Sequence, residues 1–238
     1  MCLAYLQLTP NRRRFFSLSF ASIAAYSILC KRSIAAASEA KSITADEAIA
    51  RLKDGNEKYA SAPELCSADL AKQREQVAKA QMPWATILTC SDSRVTPELL
   101  FGGVRLGELF VARNAGNIVD TATMGTIEYG AEHLGIPLIV VLGHEACGAV
   151  TTACDVVRKH EKLPGSIGSM VNAIVPAARA VYGKPGDFID NAVRENAKRM
   201  AQQVATTSHI VSHLVQTSKV RVVAARYDLD SGRVEYLN

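Results

Sequence analysis

Short apolar runs alternate with amphipathic stretches along most of the chain. The runs are continuous rather than strictly alternating, which predicts strands that are buried on both faces. Three of them are WATILT (84–89), ELFVARNAG (108–116) and PLIVVLGH (137–144). Helical patterns separate the runs, and this alternation predicts an α/β fold with a central, mostly parallel sheet flanked by helices.

The helices are predicted from their start and stop signals. Thr44 and Glu47 have the spacing of a capping box, which predicts an N-terminal helical arm. Five further helical stretches follow, at 68–81, 123–135, 147–160, 167–181 and 187–217. The last apolar segment, 220–237, predicts a C-terminal β-hairpin that turns at Asp230-Ser231-Gly232.

The start of the chain resembles an export signal. An arginine cluster, NRRRFF (11–16), precedes the apolar stretch FFSLSFASIAAYSILC (15–30), and small residues follow in SIAAAS (33–38). Arginines followed by phenylalanine are typical of twin-arginine signals, which export folded proteins.

We therefore predict an export signal over residues 1–37 and a single domain over 38–238, in a periplasmic or otherwise exported protein. Lys31 and Arg32 interrupt the apolar stretch, so a retained N-terminal membrane anchor stays open as an alternative.

The net charge of the predicted domain differs from that of the whole sequence. The whole sequence has 27 basic and 23 acidic residues, a formal net charge of +4. Five of the basic residues and none of the acidic ones precede Ser38, so the predicted domain has 22 against 23, a net charge of −1. This balance argues against nucleic acid as a partner.

Two of the predicted strands end in residue types that bind metals. Cys90 follows the first run, and His144 ends the third, with Cys147 three residues later. Two thiolates and one imidazole suit zinc, and the carboxyl ends of parallel strands are where ligands bind. Because no fourth Cys or His motif lies nearby, we expect one Zn²⁺ per subunit with an open position for water, as in catalytic sites.

The segment CSDSRV (90–95) adds a carboxylate and a guanidinium to this site. Asp92 could take the fourth coordination position itself. Alternatively, Arg94 could hold Asp92 in a bidentate pair and leave that position free, so that the carboxylate orients zinc-bound hydroxide. The spacing leaves both arrangements open.

The joint pattern resembles one known family. CSDSR (90–94) is followed by HEACG (144–148), with ARNAGN (112–117) and GTIEYGAEHLG (125–135) between them. This pattern resembles the β-class carbonic anhydrases over about residues 45–237. The resemblance implies a zinc lyase that hydrates carbon dioxide reversibly to bicarbonate and a proton, by attack of zinc-bound hydroxide.

Site residues follow from the same resemblance. It implies Cys90, His144 and Cys147 as zinc ligands, and Asp92 with Arg94 as the catalytic dyad that orients the hydroxide. It also implies a homodimer or a larger dimer-based assembly, with the active-site cleft at the subunit interface and the helical arm on the partner.

Members of the family divide by the behaviour of the dyad aspartate. In one group it leaves the zinc open, and in the other it can coordinate the metal at lower pH, with bicarbonate bound nearby. Arg113 and Tyr227 match the second group, but Ile87 stands where that group has a pocket tryptophan, and Trp84 is three positions too early. We therefore predict the open form.

Alternative interpretations stay open from the residues alone. The same site could hydrolyse carbonyl sulfide or carbon disulfide, or a non-catalytic binding module could use zinc for stability only. Cys66 and Cys154 could be free thiols or a disulfide pair. His209 and His213, four residues apart, are expected to be ordinary helix residues.

Overall fold

The computed structural model describes residues 43–62 and 70–237. The predicted export signal and Cys66 lie outside the described residues.

Within residues 43–62 and 70–237, five strands form one sheet with the order β2-β1-β3-β4-β5. The strands are β1 Ala85–Cys90, β2 Leu109–Asn114, β3 Leu138–His144, β4 Arg221–Tyr227 and β5 Val234–Leu237. Neighbours in the sheet are parallel except β4 and β5, which form the C-terminal antiparallel hairpin. The predicted α/β architecture with a mostly parallel sheet is confirmed.

The described part of the chain has nine helices. They are α1 Ala45–Ser61, α2 Leu70–Val77, α3 Pro97–Leu100, α4 Thr121–His133, α5 Gly148–Lys159, α6 Gly165–Asn172, α7 Val175–Val181, α8 Phe188–Thr207 and α9 His209–Gln216. Among these residues, no helix combines the length and apolar character needed to cross a membrane.

Two of the predicted helices are each divided in the structure. The stretch 167–181 forms α6 and α7, with Pro176 in the first turn of α7, where a missing N–H costs nothing. The stretch 187–217 divides at Ser208, whose backbone is extended and whose Oγ accepts the Val211 N–H at 3.1 Å. Ser208 therefore begins α9 as a cap instead of continuing α8.

Hydrophobic cores lie on both faces of the sheet because successive strand residues point to opposite sides. Leu88 and Val141 contact the core covered by α4, α5, α7, α8 and α9. Ile87 and Val140 belong to the opposite core, which α1 covers. Both central strands, β1 and β3, are buried along their whole length. Their carboxyl ends are consequently held in a rigid, dry setting.

Helix α1 packs against its own chain. The predicted capping box is present, since Thr44 Oγ1 accepts the Glu47 N–H and Glu47 Oε2 accepts the Thr44 N–H. At the other end, the Asn56 amide donates to the carbonyls of Leu100 and Gly232 at 3.0 and 2.8 Å. Any contact of this helical arm with a partner subunit would therefore use the outer face of α1.

We expect opposite effects from two glycine-to-alanine substitutions in helices. A Cβ on Gly55 of α1 would lie 2.0 Å from the Phe101 carbonyl oxygen, whereas a Cβ on Gly125 of α4 meets nothing within 4 Å. Gly55→Ala should lower the free energy of unfolding by about 1–3 kcal/mol through overpacking. Gly125→Ala should raise it by up to about 1 kcal/mol through helix propensity. Urea unfolding followed by circular dichroism checks both, and a Gly55→Ala protein as stable as the wild type would contradict the packing of α1.

Candidate metal and active site

The parallel pairing of β1 with β3 brings the site together. Cys90 is the last residue of β1 and His144 is the last residue of β3, and these two strands are neighbours in the centre of the sheet. Between β3 and α5 the chain makes a tight turn, in which Ala146 has a left-handed backbone (φ 50°). That turn returns Cys147, the residue that begins α5, towards the strand ends.

Three buried ligand atoms converge at this edge of the sheet. The side-chain donor atoms of Cys90, His144 and Cys147 all lie within 4.8 Å of one another. The two sulfurs are 4.0 Å apart. Tetrahedral zinc with Zn–S bonds of about 2.3 Å requires sulfurs roughly 3.8 Å apart, so the residues fit this ion closely. Among the described residues, this is the one group of three or more such side chains that could hold a metal.

The tautomer of His144 suits a metal ligand. Its Nδ1 lies 2.8 Å from the main-chain carbonyl oxygen of Glu145, which can only accept, so Nδ1 carries the proton and donates it. The lone pair is then on Nε2, which is buried and has no hydrogen-bond partner in the protein. An unpartnered buried polar atom costs about 1–3 kcal/mol, a cost that a bound metal would remove.

A hydrogen bond joins the side chains of Cys147 and Cys90. The Cys147 S–H donates to the Cys90 sulfur, and this contact lowers the pKa of Cys90 far below that of an ordinary thiol, against the effect of burial. The same contact, together with burial, raises the pKa of Cys147. A metal ion bound between the sulfurs would displace that proton, since thiols coordinate as thiolates.

A glycine and an asparagine that sequence reasoning missed support Cys90. The Gly116 N–H donates to Cys90 Sγ at 3.3 Å, and the Gly116 carbonyl accepts from Asn196 Nδ2 at 3.0 Å. Gly116 has φ 78°, a left-handed backbone in which any other residue would be strained, and a Cβ there would also lie 2.4 Å from Ile174 Cδ1. ARNAGN contains this glycine, but spacing gives no signal for Asn196, which lies 80 residues away.

Asp92 and Arg94 form a bidentate pair beside the metal group. Arg94 Nε and Nη2 donate to the two carboxylate oxygens of Asp92 at 2.9 and 2.7 Å, and the Arg94 N–H donates to Oδ1 at 3.0 Å. These contacts, the side-chain ones first, hold the pKa of Asp92 well below its usual range. Asp92 Oδ2 is 3.8 Å from His144 Nε2, so a carboxylate oxygen lies close to the metal group.

Arg113 holds the main chain of this loop. Its Nε donates to the Cys90 carbonyl at 3.1 Å, and its Nη2 donates to the Asp92 carbonyl at 2.7 Å. The guanidinium therefore fixes the backbone on both sides of Ser91. The sequence singled out Arg113 only by resemblance and gave no sign of this backbone role.

The other residues considered for a pocket beside the site lie in the opposite core. Tyr227 is buried with its hydroxyl 3.5 Å from that of Tyr59, and Ile87 is fully buried. The Trp84 ring is also buried and lies beneath the Arg51 guanidinium, at 5.6 Å.

Other candidate residues lie apart from the site. His209 and His213 are exposed on α9 and do not belong to the metal group. Cys154 is a buried free thiol within α5.

Comparisons with known proteins agree with this geometry. A family model described as carbonic anhydrase matches residues 85–234. A carbonic anhydrase of Mycolicibacterium smegmatis is 32% identical over 186 residues, which cover 77% of this chain and 89% of the relative.

Solved structures show the same fold. The β-carbonic anhydrase CcaA superimposes with a TM-score of 0.63 at 26% identity, over 79% of this chain and 86% of its own. A Coccomyxa β-carbonic anhydrase, solved in complex with acetazolamide, gives 0.62 at 29% identity, over 77% and 83%. The fold and the comparisons thus define an α/β lyase with a Cys-His-Cys group that could hold a metal ion. The chain belongs to the β-carbonic anhydrase family, and its activity is that of a carbonic anhydrase.

Two equally buried cysteines provide a test of the metal group. Cys147 and Cys154 are each 1% exposed, but only Cys147 belongs to the group. Cys147→Ser should lose zinc on dialysis, because a neutral hydroxyl is a far weaker zinc ligand than a thiolate. Cys154→Ser should keep one zinc per chain. Elemental analysis against protein concentration checks this, and full retention of zinc by Cys147→Ser would exclude it as a ligand.

Proposed function

We propose that the protein is an exported, zinc-dependent carbonic anhydrase in which Cys90, His144 and Cys147 hold one Zn²⁺ per subunit and Asp92 acts with Arg94 as a catalytic dyad. One observation carries the proposal. The three buried ligand atoms converge at the same edge of the sheet at which a paired carboxylate oxygen lies 3.8 Å from His144 Nε2.

When bound, zinc supplies the Lewis acidity that lowers the pKa of water from about 15.7 to roughly 7 and so makes hydroxide available. The overall reaction forms one bond from the oxygen of water to the carbon of carbon dioxide. One electron pair of a C=O bond moves to oxygen, which yields bicarbonate, and the proton passes to buffer.

In this reaction the role of Asp92 is to orient the nucleophile. Its carboxylate stays ionised and accepts the hydrogen of the attacking oxygen, which directs a lone pair of that oxygen at the substrate carbon. Arg94 holds the carboxylate from the opposite side through two N–H groups, so Asp92 does not turn onto the metal. The pairing supports the open form of the site.

The remaining contacts keep the loop and the ligands in place. Arg113 fixes the carbonyls of Cys90 and Asp92, and the Gly116 N–H orients the Cys90 sulfur.

Asp92→Asn tests the dyad. It should keep zinc but reduce kcat/KM for carbon dioxide hydration by about 100-fold or more, the range expected for loss of a positioned proton acceptor. Asp54→Asn, which changes an exposed carboxylate that pairs with Lys58, is the matched control and should leave the rate unchanged. Stopped-flow assays with zinc counted per chain give both values.

Two results of these assays would contradict the proposal. If the zinc-replete wild type hydrates carbon dioxide no faster than Asp92→Asn, Asp92 and Arg94 are not a catalytic dyad. If wild-type activity collapses below about pH 8 while zinc stays bound, Asp92 has moved onto the metal and the open form is wrong.

Export and assembly are further parts of the proposal. The leader of residues 1–37 supports twin-arginine export of the folded protein, and zinc bound beforehand would protect Cys90 and Cys147 from oxidation outside the cytoplasm.

We propose a homodimer or a dimer-based larger assembly. The triple substitution Arg12→Lys, Arg13→Lys and Arg14→Lys should retain the protein in the cytoplasm. Fractionation of the cells measures this. The native mass of the mature protein would distinguish a cleaved leader from a retained anchor and give the number of subunits.

A further inference from the structure

Glu145 lies between two of the proposed metal ligands and is held at three points by the β4–β5 hairpin. Its N–H donates to the Tyr227 carbonyl at 2.9 Å. Its carboxylate Oε2 accepts the Leu229 N–H at 3.1 Å, and its Oε1 lies 3.7 Å from Arg226 Nη2. Both its main chain and its side chain are therefore fixed to the β4–β5 hairpin.

The cation beside Glu145 belongs to a partly buried ionic cluster. Arg226 is 8% exposed and pairs with Gly143 across the β3–β4 ladder, one residue before His144. Besides Glu145, its guanidinium pairs with Asp190 of α8 at 2.5 Å and with Asp228 at 2.8 Å. Because this guanidinium is anchored from a helix and from the hairpin, its position beside Glu145 is well determined.

The contacts of Glu145 with the hairpin fix the position of its main-chain carbonyl. It accepts the His144 ring proton at 2.8 Å and so determines which ring nitrogen keeps the lone pair. Partners of this kind orient metal-binding histidines and raise the affinity of the site. A carbonyl that rotates away would leave His144 free to change tautomer or ring angle.

We propose that Glu145 is a positioning residue, whose side chain, anchored by Arg226 and the Leu229 N–H, fixes the carbonyl that orients His144 and thereby sets the zinc affinity. This inference rests on the proposed function, because it takes His144 as a zinc ligand. Glu145 is not one of the three candidate ligands, and it acts on the metal group only through its contact with His144.

Three variants of the zinc-loaded protein test the inference. Glu145→Ala removes both anchors, and Glu145→Gln keeps an acceptor for the Leu229 N–H but loses the charge that pairs with Arg226. Glu235→Gln is the control, since Glu235 belongs to the same cluster but pairs with Arg194 at 2.8 Å. Competition with a chromogenic chelator gives the zinc dissociation constants. Thermal unfolding of the metal-free proteins gives their stability, and the visible spectrum of cobalt-substituted protein reports the ligand geometry.

We expect zinc affinity to fall roughly 10–100-fold in Glu145→Ala. A smaller loss is expected in Glu145→Gln and none in Glu235→Gln. Of the three variants, Glu145→Ala should show the largest change in the cobalt spectrum. The unfolding temperatures of the metal-free variants should not rank in the same order as their zinc affinities. If Glu145→Ala fails to fold, the comparison of Glu145→Gln with Glu235→Gln carries the test alone.

The outcomes separate this inference from the proposed function. If the wild type binds one zinc per chain and both Glu145 variants bind it as tightly, the positioning role is wrong and the metal centre stands. Equal losses in the Glu145 and Glu235 variants, in step with stability, would also overturn it, because they would show a structural cluster only. If the wild type binds no zinc, the metal centre and this inference both fail.

Discussion

The candidate metal site depends on the parallel register of β1 and β3. This register places two sulfurs and an imidazole nitrogen together in the interior. The sulfurs are 4.0 Å apart, and the imidazole Nε2 has no partner in the protein. Such a group is unfavourable in an apolar setting unless something binds it. The helices on both faces keep water from reaching it through the sheet, and the loops at the strand ends provide the charges that surround it.

The position of Asp92 follows from that constraint. Arg94 is half exposed, so its pairing with Asp92 adds little to stability in water. What the pairing provides is direction, since a planar guanidinium matches a carboxylate in one orientation. Arg113 provides a second restraint from the neighbouring strand, on the carbonyls that flank Ser91. The loop is thus held by Arg94 from within and by Arg113 from the neighbouring strand, and the Asp92 carboxylate needs no burial to be ordered.

Local signals predicted most of the fold, and strand ends predicted where the candidate ligands meet. The capping box of Thr44 and the C-terminal hairpin depend on residues close in sequence, and both are present. The break at Ser208 depends on tertiary context as well, because its hydroxyl also donates to Glu128, 80 residues away. Gly116 and Glu145 contact the site through main-chain groups, and Asn196 donates to a main-chain carbonyl from 80 residues away. The spacing of residue types in this sequence gave no sign of these contacts.

The hydrogen bond from His144 to a main-chain oxygen has an evolutionary consequence. Every amino acid has a carbonyl, so no substitution at position 145 can delete the acceptor itself. A substitution there can only change where that oxygen lies and how firmly it is held. The contact with His144 is therefore protected against outright deletion and open to gradual adjustment.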